Sequence, residues 1–311
     1  MYTSLACGAR PKTHLLASKR GPQARRSRIA RNATATGQLR GPRDRTDAPT
    51  GCCQESLQTR RRTAKLARSL VALVLGAQRA AAMAAYDRPT LVYFNILGRG
   101  EPIRMTFAAC GVEYDEESVP YGDMKGQAGS KEWPFGQAPV LRTQGSTLTQ
   151  MTAIMRYVAA RFKPELLGTT LEERATVDAL LEGIDDLYLK YIDCVYTDQL
   201  SPPARDALWA KHFNPMTAAE RNGGGHLRFI DGFLERSGGP FLLGAAPTIA
   251  DLFLFFALEA FSRDVCFGNR PAQIYPRLGV FQEAVADLDG LKDRLASSAR
   301  ASLSFNGNGV G

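Results

Sequence analysis

Acidic residues are scarce at the start of this chain. Residues 1–85 hold 3 Asp and Glu against 17 Lys and Arg, a local charge of +14. The rest holds 28 acids and 22 bases, so the net +8 of the 311 residues comes entirely from the first part. Aromatics are missing there too, since Tyr2 is the one aromatic residue before Ala81. A stretch this poor in aromatics and rich in Arg, Ala, Gly and Pro cannot build a core, and residues 1–85 are expected to be a disordered basic segment. Three readings of it stay open. A plastid or mitochondrial transit peptide fits the Arg-rich, acid-poor composition, although the segment is not Ser-rich. A nucleic-acid tail would use the clusters Arg25-Arg26-Ser27-Arg28 and Arg60-Arg61-Arg62. In the third reading translation starts at Met83, the next Met after Met1, and the segment is not made. The third is preferred. It implies a cytoplasmic protein with no nucleic-acid partner, whereas a transit peptide would send it to a plastid or mitochondrion.

Long apolar runs are absent as well. Leu70 to Leu75 falls far short of the roughly 20 residues that cross a bilayer, so no membrane association is expected. Only His14, His212 and His226 are present, which weakens metalloenzyme and Ser-His-Asp readings. Of the six cysteines, Cys7, Cys52 and Cys53 lie in the basic segment. Cys110, Cys194 and Cys266 are scattered without paired spacing, which argues against a disulfide framework or a metal site.

The later residues carry regular patterns. Thr90 to Phe94 reads as a β-strand, Gly98-Arg99-Gly100 as a turn, and Glu101-Pro102 as the first turn of a helix that stops at Gly111. Tyr93 then stands at a strand end facing a helix N-terminus, where a bound anion or thiolate gains from the backbone dipole. Residues 112–119 read as a second strand, 120–136 as an irregular loop, 138–142 and 146–148 as two more strands, and 150–162 as a helix. This order predicts a compact α/β domain over 88–165. Gly168-Thr169-Thr170 marks a linker. Beyond it the pattern is helical over 171–300, with long helices at 171–199 and about 204–237, the second with a possible break at Asn222 to Gly225. Thr248-Ile249-Ala250-Asp251 is a capping box ahead of a very apolar helix, the expected centre of an all-α domain. The Asn- and Gly-rich tail, residues 301–311, is expected to be flexible.

Four motifs in order carry a resemblance over residues 89–300. They are Tyr93-Phe94-Asn95 with Gly98-Arg99, Pro134-Phe135-Gly136-Gln137-Ala138-Pro139, Gln150 with Ala153-Ile154 and Arg156-Tyr157, and Thr248-Ile249-Ala250-Asp251. Val177-Asp178-Ala179 and Asp185-Asp186 add to them. Together they resemble the soluble glutathione transferases, most closely the sigma-like group that includes glutathione-dependent prostaglandin isomerases.

The resemblance implies a thioredoxin-like α/β domain joined to an all-α domain, usually as a homodimer. Glutathione is the implied co-substrate, a hydrophobic electrophile the second substrate, and no tightly bound cofactor is expected. Tyr93 is similar to the family's catalytic tyrosine, and Arg99 would help polarise it. A thiol of pKa about 8.5 is mostly protonated at neutral pH, so a phenol donating to sulfur makes the nucleophile available. Ala138-Pro139 is similar to the family's cis-proline step, where the backbone of Ala138 pairs with a peptide ligand as an added strand. Gln137 is expected on the glutathione backbone and Gln150 on its γ-glutamyl end. Asp186 matches an acid that meets glutathione in the other subunit. Its face, with Glu182 and Asp185, offers a weak divalent-cation site, while no metal is expected.

Two positions depart from the family. Met151 stands where a Ser or Thr usually holds the γ-glutamyl carboxylate, so weaker glutathione binding is expected. The Lys that grips the glycyl carboxylate falls on Ser130, leaving Lys131 or Lys125 to reach instead, with Trp133 beside them. The implied activity is conjugation of glutathione to electrophiles in detoxification, or glutathione-dependent isomerisation or peroxide handling. The alternative is a non-catalytic member that binds ligands or serves as a structural module.

Overall fold

A computed structural model describes residues 88–218 and 223–310. The expected disorder of residues 1–85, and every reading of that segment, lies outside the described residues.

Strand β1 (Thr90–Tyr93) is the second strand of a four-stranded sheet ordered β2-β1-β3-β4. It pairs in parallel with β2 (Asp115–Ser118) and antiparallel with β3 (Val140–Arg142), which pairs antiparallel with β4 (Thr147–Thr149). A single 3-10 turn, Gly98–Gly100, leads from β1 into helix α1 (Glu101–Cys110). Pro102 sits in the first turn of α1, and Gly111 ends it at φ 64° and ψ 38°, a conformation that costs a side chain but not glycine. A short α2 (Tyr121–Gly126) occupies the loop before β3, and α3 (Met151–Phe162) follows β4. The helices α1 and α3 share one core with the helical part of the chain. The opposite side of β1 and β3 carries a small core of Val92, Met124, Trp133 and Val140.

Helix α4 (Leu171–Tyr196) opens on a capping box in which Thr170 accepts from the backbone of Glu173 and the Glu173 carboxylate accepts from Thr170. The expected helix over 204–237 is instead three pieces. They are α5 (Pro202–Leu208), a π turn (Trp209–Phe213) and α6 (His226–Ser237). The helix gives way already at Trp209, and Gly223 to Gly225 are not helical, while Asn222 lies outside the described residues. Tyr275 donates its hydroxyl to the Phe213 carbonyl at 2.7 Å, which holds the chain out of helix there. Helix α7 (Ile249–Phe261) is buried at every position but Glu259, and its Phe253, Phe256 and Phe261 pack against Tyr188 and Tyr191 of α4. Its capping box closes through Asp251, which accepts from the Thr248 hydroxyl and N–H, both at 2.7 Å, and from the Leu242 N–H at 2.8 Å. Helices α8 (Arg270–Ile274), α9 (Pro276–Ala286), α10 (Leu291–Ala296) and α11 (Ser298–Ala301) complete the order.

The tail expected to be flexible is docked. Phe305 and Asn306 are 3% and 2% exposed. Phe305 stacks on Phe256, and its carbonyl accepts from the Gly98 N–H at 3.1 Å. Asn306 Nδ2 donates to the Tyr191 hydroxyl, and the Gly307 N–H donates to the Tyr196 hydroxyl. Composition suggested looseness, but the tyrosine hydroxyls supply partners that a polar tail can use.

One partly buried histidine pair makes a pH prediction. The His212 and His226 Nδ1 atoms lie 3.0 Å apart, so one ring donates and the other accepts. Burial first, then the His226 ring, push the His212 pKa down to about 4. The unfolded chain binds more protons between pH 6.5 and 4, so this pair's contribution to stability is lost as pH falls through that window. His212→Asn is expected to flatten the fall. Urea midpoints of both proteins at pH 7.5 and pH 5 measure it, and parallel shifts would refute it.

Candidate functional site

The site begins at the end of β1. Tyr93 is 5% exposed, with its ring packed against the Gly98–Gly100 turn. A Cβ on Gly98 would stand 2.6 Å from the Tyr93 hydroxyl, and one on Gly100 would collide with the ring. Glycine at both positions is what allows the turn to close over the phenol. The Arg99 N–H donates to the Tyr93 hydroxyl oxygen at 2.8 Å. This fills the acceptor side and leaves the hydroxyl proton free to donate elsewhere. Burial pushes the Tyr93 pKa up to about 12, against smaller lowering by the Arg99 N–H and the Arg104 and Arg99 charges. At neutral pH the group is therefore a hydrogen-bond donor and not a base.

The Arg99 guanidinium does something other than face the phenol. It pairs with Asp185 of α4 at 2.8 Å and lies over the Tyr188 ring at 5.5 Å. Beside it opens a groove of about 570 Å³. One wall is Gln137, Ala138 and Pro139, whose Ala138–Pro139 peptide bond is cis. Another is Gln150 and Met151, the residues at the start of α3. Gln150 sits at φ 70° and ψ 121°, a region that a non-glycine residue occupies at a cost. No side chain caps α3, so the orphan N–H groups of its first turn are not taken by a cap. Such N–H groups and the positive end of the helix dipole suit a carboxylate.

The sequence-derived residues divide between the groove and its surroundings. Arg99, Gln137, Ala138, Pro139, Gln150 and Met151 line the groove. Tyr93 does not line it, but is bonded to Arg99 and adjoins Phe94, which do. Lys131 lies outside, and Lys125 lines the groove in its place. Trp133 is 3% exposed and fills the small core between Val92, Met124 and Val140. Its N–H is held by Ser130 Oγ at 3.0 Å, so the residue standing where a lysine was expected fixes the loop instead. Asp186 is exposed and outside the groove, whereas Asp185 lines it. Adjacent helical residues point about 100° apart, so only one of the two acids can face inward. Glu182 and Asp178 both pair with Arg156, whereas Asp185 pairs with Arg99. Among the described residues no three acids, histidines or cysteines group as metal ligands.

Tyr121 and Leu189 also line the groove and were not singled out. Leu189 carried a readable signal, since it follows Asp185 by four residues on one helix face. Tyr121 had none, because its place depends on the path of the 120–136 loop.

The family profile described as the glutathione S-transferase N-terminal domain matches residues 89–160, and the one described as the C-terminal domain matches 210–298. Glutathione S-transferase alpha-2 of Rattus norvegicus is 30% identical over 206 residues, which cover 66% of this chain and 86% of the relative. Glutathione S-transferase 1 of Ascaris suum is 28% identical over 183 residues, covering 55% and 78%. Among solved structures, the pi-class glutathione S-transferase of Onchocerca volvulus aligns with a TM-score of 0.60 at 26% identity, covering 72% of this chain and 100% of that one.

Proposed function

This chain belongs to the glutathione S-transferase family, and we propose that it holds the glutathione thiol as the thiolate through the Tyr93 hydroxyl. It is a glutathione transferase with glutathione as co-substrate. The observation that carries the catalytic reading is the 2.8 Å bond from the Arg99 N–H to the phenol oxygen, which leaves the phenol proton to serve sulfur. In this reading the backbone of Ala138 pairs with the cysteinyl part of glutathione. Gln150 and the α3 N-terminus take the γ-glutamyl carboxylate, and Lys125, in place of Lys131, takes the glycyl carboxylate. Gln137 contacts the peptide backbone. Arg99, tied to Asp185, keeps positive charge beside the developing thiolate. Trp133 acts through packing of the loop.

A homodimer accords with Phe135, which is 63% exposed at the groove, and with Asp186, which faces outward where a partner's glutathione could use it. The finer assignment is to the sigma-like group, with isomerisation of a lipid peroxide as its activity. It rests on the motifs around Tyr93 and Pro139. Turnover of a prostaglandin endoperoxide tests the isomerase activity, and failure there with conjugation intact rejects that activity alone. Retention on immobilised glutathione followed by conjugation of an aryl halide tests the main reading. A protein that does neither defeats it.

Met151 gives a directed prediction. A serine there adds a hydroxyl at the first residue of α3, beside the groove. A hydrogen bond to a charged group contributes about 1.5–3 kcal/mol. Met151→Ser is expected to lower the glutathione KM roughly tenfold or more with kcat little changed. An unchanged KM would mean that the backbone N–H groups already satisfy the carboxylate.

A further inference from the structure

We propose that His212 and His226 bind a nitrogen-seeking divalent cation of the zinc type, and that the bound ion clips the π turn (Trp209–Phe213) to the start of α6. The two rings come from separate elements, 14 residues apart in the chain. Their Nδ1 atoms converge to 3.0 Å, with the ring planes 57° apart. A zinc ion stands about 2.0–2.1 Å from a histidine nitrogen, so two nitrogens this close subtend roughly 95° at it. Parting them by about 0.3 Å reaches the tetrahedral angle. The proton that one ring shares through Nδ1 moves to its own Nε2. Both Nδ1 lone pairs then face the ion, and no net proton is released. The rings are already in the neutral form that a ligand needs, since burial holds the pKa of His212 down at about 4 and lowers that of His226.

The frame around the pair is set by backbone bonds. The Gly225 N–H donates to the Lys211 carbonyl at 2.8 Å, which ties the chain neighbours of the two histidines together. The Asn214 N–H donates to the Trp209 carbonyl at 2.9 Å and closes the π turn. Gly223 packs against His226 so closely that a Cβ there would stand 2.9 Å from the ring Cε1. Single π turns are rare and recur at functional sites. Here the π turn is what brings His212 to His226.

Charge selects the ion. Lys190 and Lys211 act on both rings, and Asp186 acts on His226. The start of α6 adds the positive end of its dipole. The local field is therefore positive, which disfavours Mg²⁺ and Ca²⁺, ions held by charged oxygens. An ion whose bond to imidazole is itself strong tolerates that field. His226 is half-buried, so water reaches the remaining coordination positions. Neither histidine lines the glutathione groove, and the site is separate from the thiol chemistry.

The test is calorimetric titration of the full, chelator-stripped chain with Zn²⁺ in a non-coordinating buffer. His226→Gln is expected to weaken one zinc-binding event at least tenfold, while His14→Gln leaves it unchanged. Lys190→Gln, at an exposed position, is expected to tighten it at least twofold by removing a repelling charge. Saturating zinc should raise the urea midpoint of the wild type and leave that of His226→Gln where it was, which separates lost binding from lost folding. No saturable binding of zinc, an unchanged isotherm in His226→Gln, loss of the event in His14→Gln, no tightening in Lys190→Gln, or displacement of zinc by an excess of Mg²⁺ would each overturn the proposal.

Discussion

Tyr93→Phe is expected to conjugate glutathione roughly 10- to 150-fold less efficiently in kcat/KM, with the fold intact. The magnitude follows from losing one hydrogen bond to a charged acceptor, about 1.5–3 kcal/mol, at 1.36 kcal/mol per factor of ten. The geometry makes the phenol a donor. Its oxygen already accepts from the Arg99 N–H, and burial keeps its pKa up at about 12. A phenylalanine keeps the ring that Gly98 and Gly100 are packed against, so the turn has no cause to move. The lost donor acts on the thiol. Bound glutathione should therefore titrate about 1–2 pH units higher in the variant, the same energy read as a pKa. The pH profile of kcat/KM, or thiolate absorbance at equilibrium, reads this directly. A variant with wild-type activity and an unshifted profile would remove Tyr93 from the chemistry and leave the helix N-terminus and Arg99 to hold the thiolate.

The parts of this site that could be read from the sequence are the local ones. Tyr93, Gly98, Pro139 and Gln150 belong to short segments whose strand, turn and cap signals need no distant partner. The same holds for Asp251, whose box with Thr248 spans three residues. Lys125 and Lys131 were indistinguishable because the loop's path is set by Trp133, which chooses the interior over the groove. Asp185 and Asp186 were adjacent acids on one helix, and only the position of the Arg99 turn decides which faces in. The docked tail was illegible for the same reason, since Tyr191 and Tyr196, its partners, lie more than a hundred residues earlier. Composition describes what a segment can do alone, and these segments are not alone.

Glu101 is the sharpest instance and carries the largest stability effect. Its sequence reading is an ordinary acid in the first turn of a helix, worth a few tenths of a kcal/mol to about 1. In the structure it is wholly buried and binds arginines from three places. Arg294 Nε donates to it at 3.0 Å and its Nη2 makes a second bond, Arg300 Nε donates at 2.8 Å, and Arg104 stands at 3.6 Å. Two of these partners come from the end of the chain, 193 and 199 residues away. Glu101 thereby fastens the start of α1, directly after the Gly98–Gly100 turn, to α10 and to α11. Glu101→Ala leaves three guanidinium groups sharing Glu116 and Glu259, with no other carboxylate of this network to take them. Removing one partner of a buried ion pair costs about 3–5 kcal/mol, because the charge left behind has lost its water without recovering its counter-ion. That loss is expected in urea unfolding at pH 7. If orphaned charge is the cause, Glu101→Ala combined with Arg294→Met should be more stable than Glu101→Ala alone, since the second change removes a burden. A loss below about 1 kcal/mol, or a double variant weaker than the single, would mean that water reaches these arginines and that packing, not charge, joins the chain end to α1.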